Sequence, residues 1–370
     1  MKGRRSLKKT SAYLLCVIAC MGIMGCSEIS DSPQADVASK IIFDVKKEES
    51  VTRALEMTAN DMTEFAVYGV TSAGGKVATN AIYVLEGSSW NSSQDIYWPD
   101  IATDFFAING SFSDIATKVS FTKSNRRFTY TTPLNADEQL DLMVASAFEM
   151  MESTNSGRVS LMFLHPMCTM VIMASNAFTE DWTVKIGRLA VHNVDVTGKI
   201  TFSKTIDTPN ASKVSEAVTI DMQNDIQTIY RDMTENPYEL SRTSSVLPCE
   251  GDYFFLFKQK LAKWKTKEGA PVSIAEADAD GQCYVEIDCK IQDEGGNYIY
   301  GSETDWGKVY VPFSAAVNFT DFGQKKNATI KFSGGYDEYG LPLSFGSGLE
   351  IEVEDWLDGN ENNEPIEVEF

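Results

Sequence analysis

Short, strand-length runs repeated along almost the whole chain constrain the fold more than any other feature. Phe65–Val70, Ala81–Leu85, Thr103–Ile108, Asp141–Ala145, Val159–Phe163 and Met167–Met173 are apolar, aromatic or β-branched stretches set apart by polar residues and glycine. The series resumes with Val184–Ile186, Leu189–His192, Tyr253–Phe257, Tyr284–Ile287, Lys308–Val311, Ala328–Phe332 and Leu349–Val353. Runs this short with turn residues between them do not make long helices, and their spacing predicts an all-β chain of sandwich type. The polar interruption Ser175–Asp181 separates the two series, so two domains are expected, residues 54–178 and 179–357. Asp207–Ser215 and Gln223–Ser245 show no clear apolar period and are expected to be loops or insertions with at most one short helix.

The N-terminus addresses the chain. Lys2, Arg4, Arg5, Lys8 and Lys9 precede the apolar run Ala12–Gly25, which is shorter than the roughly 18 to 20 residues a spanning helix requires. Residues 1–25 therefore read as a signal peptide. Ile23-Met24-Gly25-Cys26 has the form of a lipobox, in which the Cys26 thiol receives a diacylglycerol; the alternative is an ordinary cleaved signal. The expected location is an outer-membrane lipoprotein precursor, held by acyl chains. Apart from the five basic residues ahead of Cys26, 27 basic residues face 53 acidic ones, a balance of −26. That charge argues against nucleic acid and anionic lipid surfaces as partners.

The chemical inventory is sparse. There are two histidines, His165 and His192, each in or beside an apolar run and each expected to be a satisfied sheet residue. No nucleophile elbow, HExxH, P-loop or paired CxxC occurs, so no catalytic residue, metal site or cofactor is expected. Glu276–Gly281 shares the composition of a calcium loop without its spacing, and reads as a solvated loop. Past the signal, Cys168, Cys249, Cys283 and Cys289 are too few for a disulfide scaffold and are expected to be buried thiols. Cys283 and Cys289, six apart, share a strand face but lie too far apart to bond.

Three segments in order resemble the fimbrillin family of Bacteroidota pilins. Phe65–Val70 leads to Trp90, the turn Tyr97-Trp98-Pro99 and Asp104–Ala107; Asp141–Ala145 leads to Val159–Pro166; Val317–Phe319 leads through Ala328–Phe332 to Ile351–Trp356. The resemblance implies two tandem β-sandwich domains of transthyretin-like type, in a structural subunit of a surface fimbria rather than an enzyme. It also implies an arginine-specific protease that removes an N-terminal segment, and other pilin subunits that supply a strand to the vacated groove. Val51-Thr52-Arg53-Ala54 is similar to the family's cleavage site, with Arg53 and Ala54 flanking the scissile bond. Residues 26–53 would then be a lipidated propeptide.

The residues at both ends suit that exchange. Ile41, Phe43 and Val45 alternate with Ile42, Asp44 and Lys46, giving a strand with one apolar face, the removable strand. Ile366, Val368 and Phe370 alternate with Glu367 and Glu369 in the tail, residues 358–370, behind a polar connection containing Gly359. This second strand is the candidate donor; the alternative is pairing within its own sheet. β-Strand addition draws affinity from main-chain hydrogen bonds and register from alternate side-chain pockets. Other functions stay open: a tip or anchor subunit that binds a host surface ligand as an adhesin, or a glycan-binding lipoprotein using Trp90, Trp264 or Trp306.

Overall fold

A computed structural model describes residues 38–46, 62–109, 119–207, 216–243, 245–247, 253–263, 266–267, 270–271, 274–313, 317–332 and 352–355. The fold is all-β. In its first half, β2 (Glu64–Thr71), β3 (Lys76–Glu86), β4 (Ser89–Asn91), β5 (Thr103–Asn109) and β8 (Val144–Met150) form an antiparallel sheet in the order β4-β3-β2-β5-β8. Strand alternation sends Phe65, Val67, Phe105 and Ala107 to one face and Ala66, Tyr68, Val70, Phe106 and Ile108 to the other. Both faces are apolar, so both must be covered to keep them from water.

On one face lies the parallel pair of β1 (Ile42–Val45) and β9 (Arg158–Leu161). On the other lies a four-stranded antiparallel sheet, β13-β12-β7-β6, made of β6 (Val119–Thr122), β7 (Arg127–Thr131), β12 (Thr197–Phe202) and β13 (Val218–Met222). Phe128, Tyr130, Ile200, Phe202 and Val218 of that sheet complete the second core. Sequence reading did not find these four strands. Their outward positions are polar, as in Arg127-Phe-Thr-Tyr-Thr131, and the inward ones alone are too few to stand out as an apolar run.

In the second half two sheets face each other across one core. β10 (Met167–Asn176) pairs with β16 (Ser245–Leu247) and β17 (Phe254–Phe257), and runs parallel to β25 (Lys325–Phe332), which pairs with β26 (Glu352–Asp355). Opposite are β11 (Thr183–Asp195), β14 (Ile226–Asp232), β15 (Tyr238–Glu239), β21 (Tyr284–Gln292), β22 (Tyr298–Tyr300) and β23 (Gly307–Pro312). Met170 and Ile172 of β10, Leu189 and Val191 of β11, Val285 and Ile287 of β21, and Ile330 of β25 meet between them. Ladders of two residues each, β18 (Lys260–Leu261) with β24 (Val317–Asn318) and β19 (Thr266–Lys267) with β20 (Ala270–Pro271), complete the described strands.

Two details depart from the sequence reading. Within Gln223–Ser245, read as a loop, β14 pairs with β11. It escaped notice because one of its buried residues is Arg231, whose Nη2 meets Asp137 at 2.6 Å and breaks the apolar alternation. The acidic segment near 276 is a helix, Ile274–Ala279, whose Ala277 packs on Tyr284. The junction expected at residues 178/179 falls between β10 and β11. Strands cross it both ways: β10 joins β25, and β12 joins β7. Gly198 of β12 leaves room for the Phe257 ring, which would lie 2.8 Å from a Cβ placed there.

Candidate functional site

β1 is the element that joins sequence to function, because it fills a core built by residues that follow it. Ile41 and Phe43 are each 1% exposed, Val45 is half-buried against the same cluster, and Ile42 faces outward. The Phe43 ring meets Tyr83 edge-on at 5.0 Å and Phe105 at 5.3 Å. Val159, Leu161 and Phe163 close the cavity from the β9 side, and Trp98 packs 6.1 Å from Phe105. Burial, with Asp95 as the lesser cause, pushes the Tyr83 hydroxyl up to about 12, and among the described residues neither that hydroxyl nor the Trp98 indole N–H has a hydrogen-bond partner. The pocket is thus an aromatic one that recognises shape rather than polar groups.

The backbone of β1 is held more lightly than its side chains. In register, Ile42 lies beside Arg158, Phe43 beside Val159, Asp44 beside Ser160 and Val45 beside Leu161. Ile42 N donates to Gly157 O at 3.1 Å and Lys46 N to Leu161 O at 2.8 Å. On the other edge Ile41 N donates to Ile96 O at 2.8 Å and Trp98 N donates to Ser39 O at 3.0 Å. Beyond Ile41 that edge has no strand partner among the described residues. Ion pairs hold the rim: Arg158 grips Asp44 with two bonds, Nε to Oδ2 at 2.7 Å and Nη2 to Oδ1 at 2.8 Å, and Lys40 Nζ meets Asp95 at 2.6 Å. Ser39 also donates to Glu152. Sequence reading missed Arg158, and no local signal marks it, because its partner is 114 residues away.

Of the other residues singled out, Cys26, Arg53, Ala54, Ile366, Val368 and Phe370 lie outside the described residues, as do Cys249, Trp264 and Trp356. Trp90 is half-buried with its ring 4.7 Å from Phe65. Trp306 lies against Gly187, with the Lys290 ammonium 4.6 Å above it. His165 Nδ1 sits 2.7 Å from Asp141. Cys168, Cys283 and Cys289 are buried and free, and desolvation pushes the first two thiols up to about 12 and about 11.

A second polar cluster lies on the outer face of β11, β21 and β23. Glu286, 6% exposed, receives Arg188 Nη1 at 2.9 Å and Lys308 Nζ at 2.6 Å, with His192 Nε2 at 3.4 Å. His192, then Lys308, hold its carboxyl down at about 2 against the opposing effect of burial. Asp288 beside it is shifted up, chiefly by burial. His192 stacks on Tyr284 at 4.3 Å and its Nδ1 is 3.1 Å from Thr228. Every cation here is already committed to a carboxylate or a ring, an arrangement that braces three strands. Among the described residues no group of three or more His, Cys, Asp or Glu is placed to hold a metal ion.

Fold and groove together define an all-β protein of stacked sheets, one core of which is completed by a strand from an upstream segment. The chain belongs to the fimbrillin-like family, whose model matches residues 52–356 and so begins a few residues after β1. Among solved structures it is similar to a fimbrial protein from Bacteroides vulgatus, at 15% identity and a TM-score of 0.47, covering 86% of this chain and 99% of that one. It is also similar to the tip fimbrial protein Mfa3 from Porphyromonas gingivalis with C-terminal truncation, at 11% identity and a TM-score of 0.32, covering 80% of this chain and 94% of that one. No curated protein matches the chain. Fimbrial proteins form cell-surface appendages.

Proposed function

We propose that this chain is a fimbrial subunit exported as an outer-membrane lipoprotein precursor, lipidated at Cys26, cut between Arg53 and Ala54 by an arginine-specific protease, and polymerised with other pilin subunits by strand exchange. The observation that carries the reading is the position of β1. It lies upstream of Arg53, is bonded along one edge and only briefly on the other, yet places Ile41 and Phe43 in the core of the body that follows. Cutting at Arg53 frees β1 from covalent attachment without touching a described strand. The groove it leaves, lined by Tyr83, Phe105, Val159 and Phe163, needs an apolar strand of the same period. Ile366, Val368 and Phe370 supply that period from a tail with polar residues before it. The body is read as two tandem β-sandwich domains, residues 54–178 and 179–357, that share strands across their junction. No catalytic residue is needed for any of these steps in the chain itself.

The test replaces Arg53 with Ala and, separately, deletes Ile366–Phe370. Wild-type chains on the cell surface should start at Ala54 and run as a ladder of covalently unlinked, detergent-stable multimers. Arg53→Ala should stay uncut and monomeric, and the deletion should mature but not multimerise. If the deleted chain still enters fimbriae, the tail is not the donor, and a tip or anchor position with an adhesive role fits better. Normal maturation of Arg53→Ala would remove Arg53 from the account.

A further inference from the structure

The groove has a charged rim as well as an apolar floor, and the rim carries information that the floor lacks. Arg158 makes a two-point contact with Asp44, the outward residue between the sites of Phe43 and Val45. Its side chain is half exposed, so once β1 leaves, the guanidinium stands at the groove edge without its carboxylate. The tail alternates apolar and acidic residues over Ile366–Phe370. Filling all three apolar sites, those of Ile41, Phe43 and Val45, therefore forces a glutamate onto the Asp44 site whichever way the incoming strand runs. In the direction of β1 that residue is Glu369; in the opposite direction it is Glu367. A slip of two residues toward the N-terminal side of the groove leaves the Asp44 site empty and brings Glu367 to the Lys40 site, beside Asp95, where like charges repel.

We infer that Arg158 is the specificity-determining residue of the acceptor groove, selecting incoming strands that carry an acidic residue between the side chains filling the Phe43 and Val45 sites and opposing a slip toward the N-terminal side of the groove. Given the direction of β1, the partner is Glu369 of a second copy. The inference rests on the strand-exchange reading and refines it. In a chain with 53 acidic and 32 basic residues, an arginine at the rim also gives an acidic tail a local point of attraction, which speeds encounter more than it strengthens the final complex.

The test compares full-length wild-type chains with E369K, R158E and the R158E/E369K double variant, each matured by an arginine-specific protease, and follows the rate of multimer formation at low and high salt. Thermal unfolding of each uncut chain serves as the folding control. Wild type should multimerise; E369K, a change in the tail, should slow about tenfold at low ionic strength and less at high salt. R158E should slow similarly, and the double variant should recover most of the wild-type rate. Recovery by R158E/E367K in place of R158E/E369K would support the arginine with an incoming strand of opposite direction. Wild-type rates for both single variants, or slow exchange that neither double variant rescues, would overturn the inference. Failure of the wild type itself to multimerise would instead count against strand exchange.

Discussion

The two halves of the molecule close their cores in different ways. In the second half, Ile172, Leu189, Val285, Ile287 and Ile330 come from long strands, each with partners on both sides, and the core is largely aliphatic. In the first half, the core over β2 and β5 is aromatic, with Phe65, Tyr83, Trp98, Phe105 and Phe163, and is finished by Phe43 and Val45 of β1 together with Ile41. The contrast shows that depth of burial and strength of attachment are separate properties. Phe43 is as buried as Ile287, yet among the described residues the strand that carries it pairs along its length only with β9. Large aromatic pockets suit such a plug, because a few side chains bury much area on a short element.

The largest effect should come from breaking the incoming plug. Val368→Asp would bury an uncompensated carboxylate in an apolar groove and should abolish most multimers, a loss of at least about a hundredfold in association. The resident plug offers the sharper comparison. Phe43→Ala should destabilise the uncut chain by about 3 to 5 kcal/mol and Ile287→Ala by about 2 to 5 kcal/mol, measured by denaturant unfolding. After maturation the first penalty should vanish from the assembled form, while the second persists. Equal persistence of both would mean that β1 stays in place.

How far these differences were legible in the sequence varies by region. The strongly apolar strands β2, β5, β10 and β21 announce themselves, because both of their faces are buried. β7 and β12 do not, since every second residue is polar and partly exposed, and β14 hides behind the buried Arg231. Which side chains of β1 point inward follows from simple alternation at Ile41 and Phe43. That β1 runs parallel to β9, and that Arg158 closes over Asp44, depends on a chain crossing of more than a hundred residues that no local pattern encodes.

Acid should separate the halves again, with a smaller effect. Glu286 is held at about 2 against an ordinary 4.5, so its stabilisation is complete above 4.5 and is lost as the pH falls toward 2. The loss should be roughly 3 kcal/mol, partly offset by Asp288, whose raised value makes its protonation favourable on the same descent. Glu286→Gln should flatten the acid limb of the unfolding curve, and should leave the Phe43 penalty unchanged; movement of both would show that the two cores are coupled. Smallest of all should be Glu367→Gln, which changes an outward residue of the tail and should leave the multimer yield nearly unaltered.

The central claim, that the site of β1 is refilled by a neighbour, can be read from one covalent trap. Val368→Cys and Val159→Cys in the same chain, with Cys249 replaced by Ser, place one thiol on the incoming strand and one beside the Phe43 site, while Cys168, Cys283 and Cys289 are buried. After maturation and mild oxidation, non-reducing electrophoresis should show a ladder of multimers that collapses on reduction. Multimers of normal size that remain covalently unlinked, or a disulfide confined within single chains, would contradict the account.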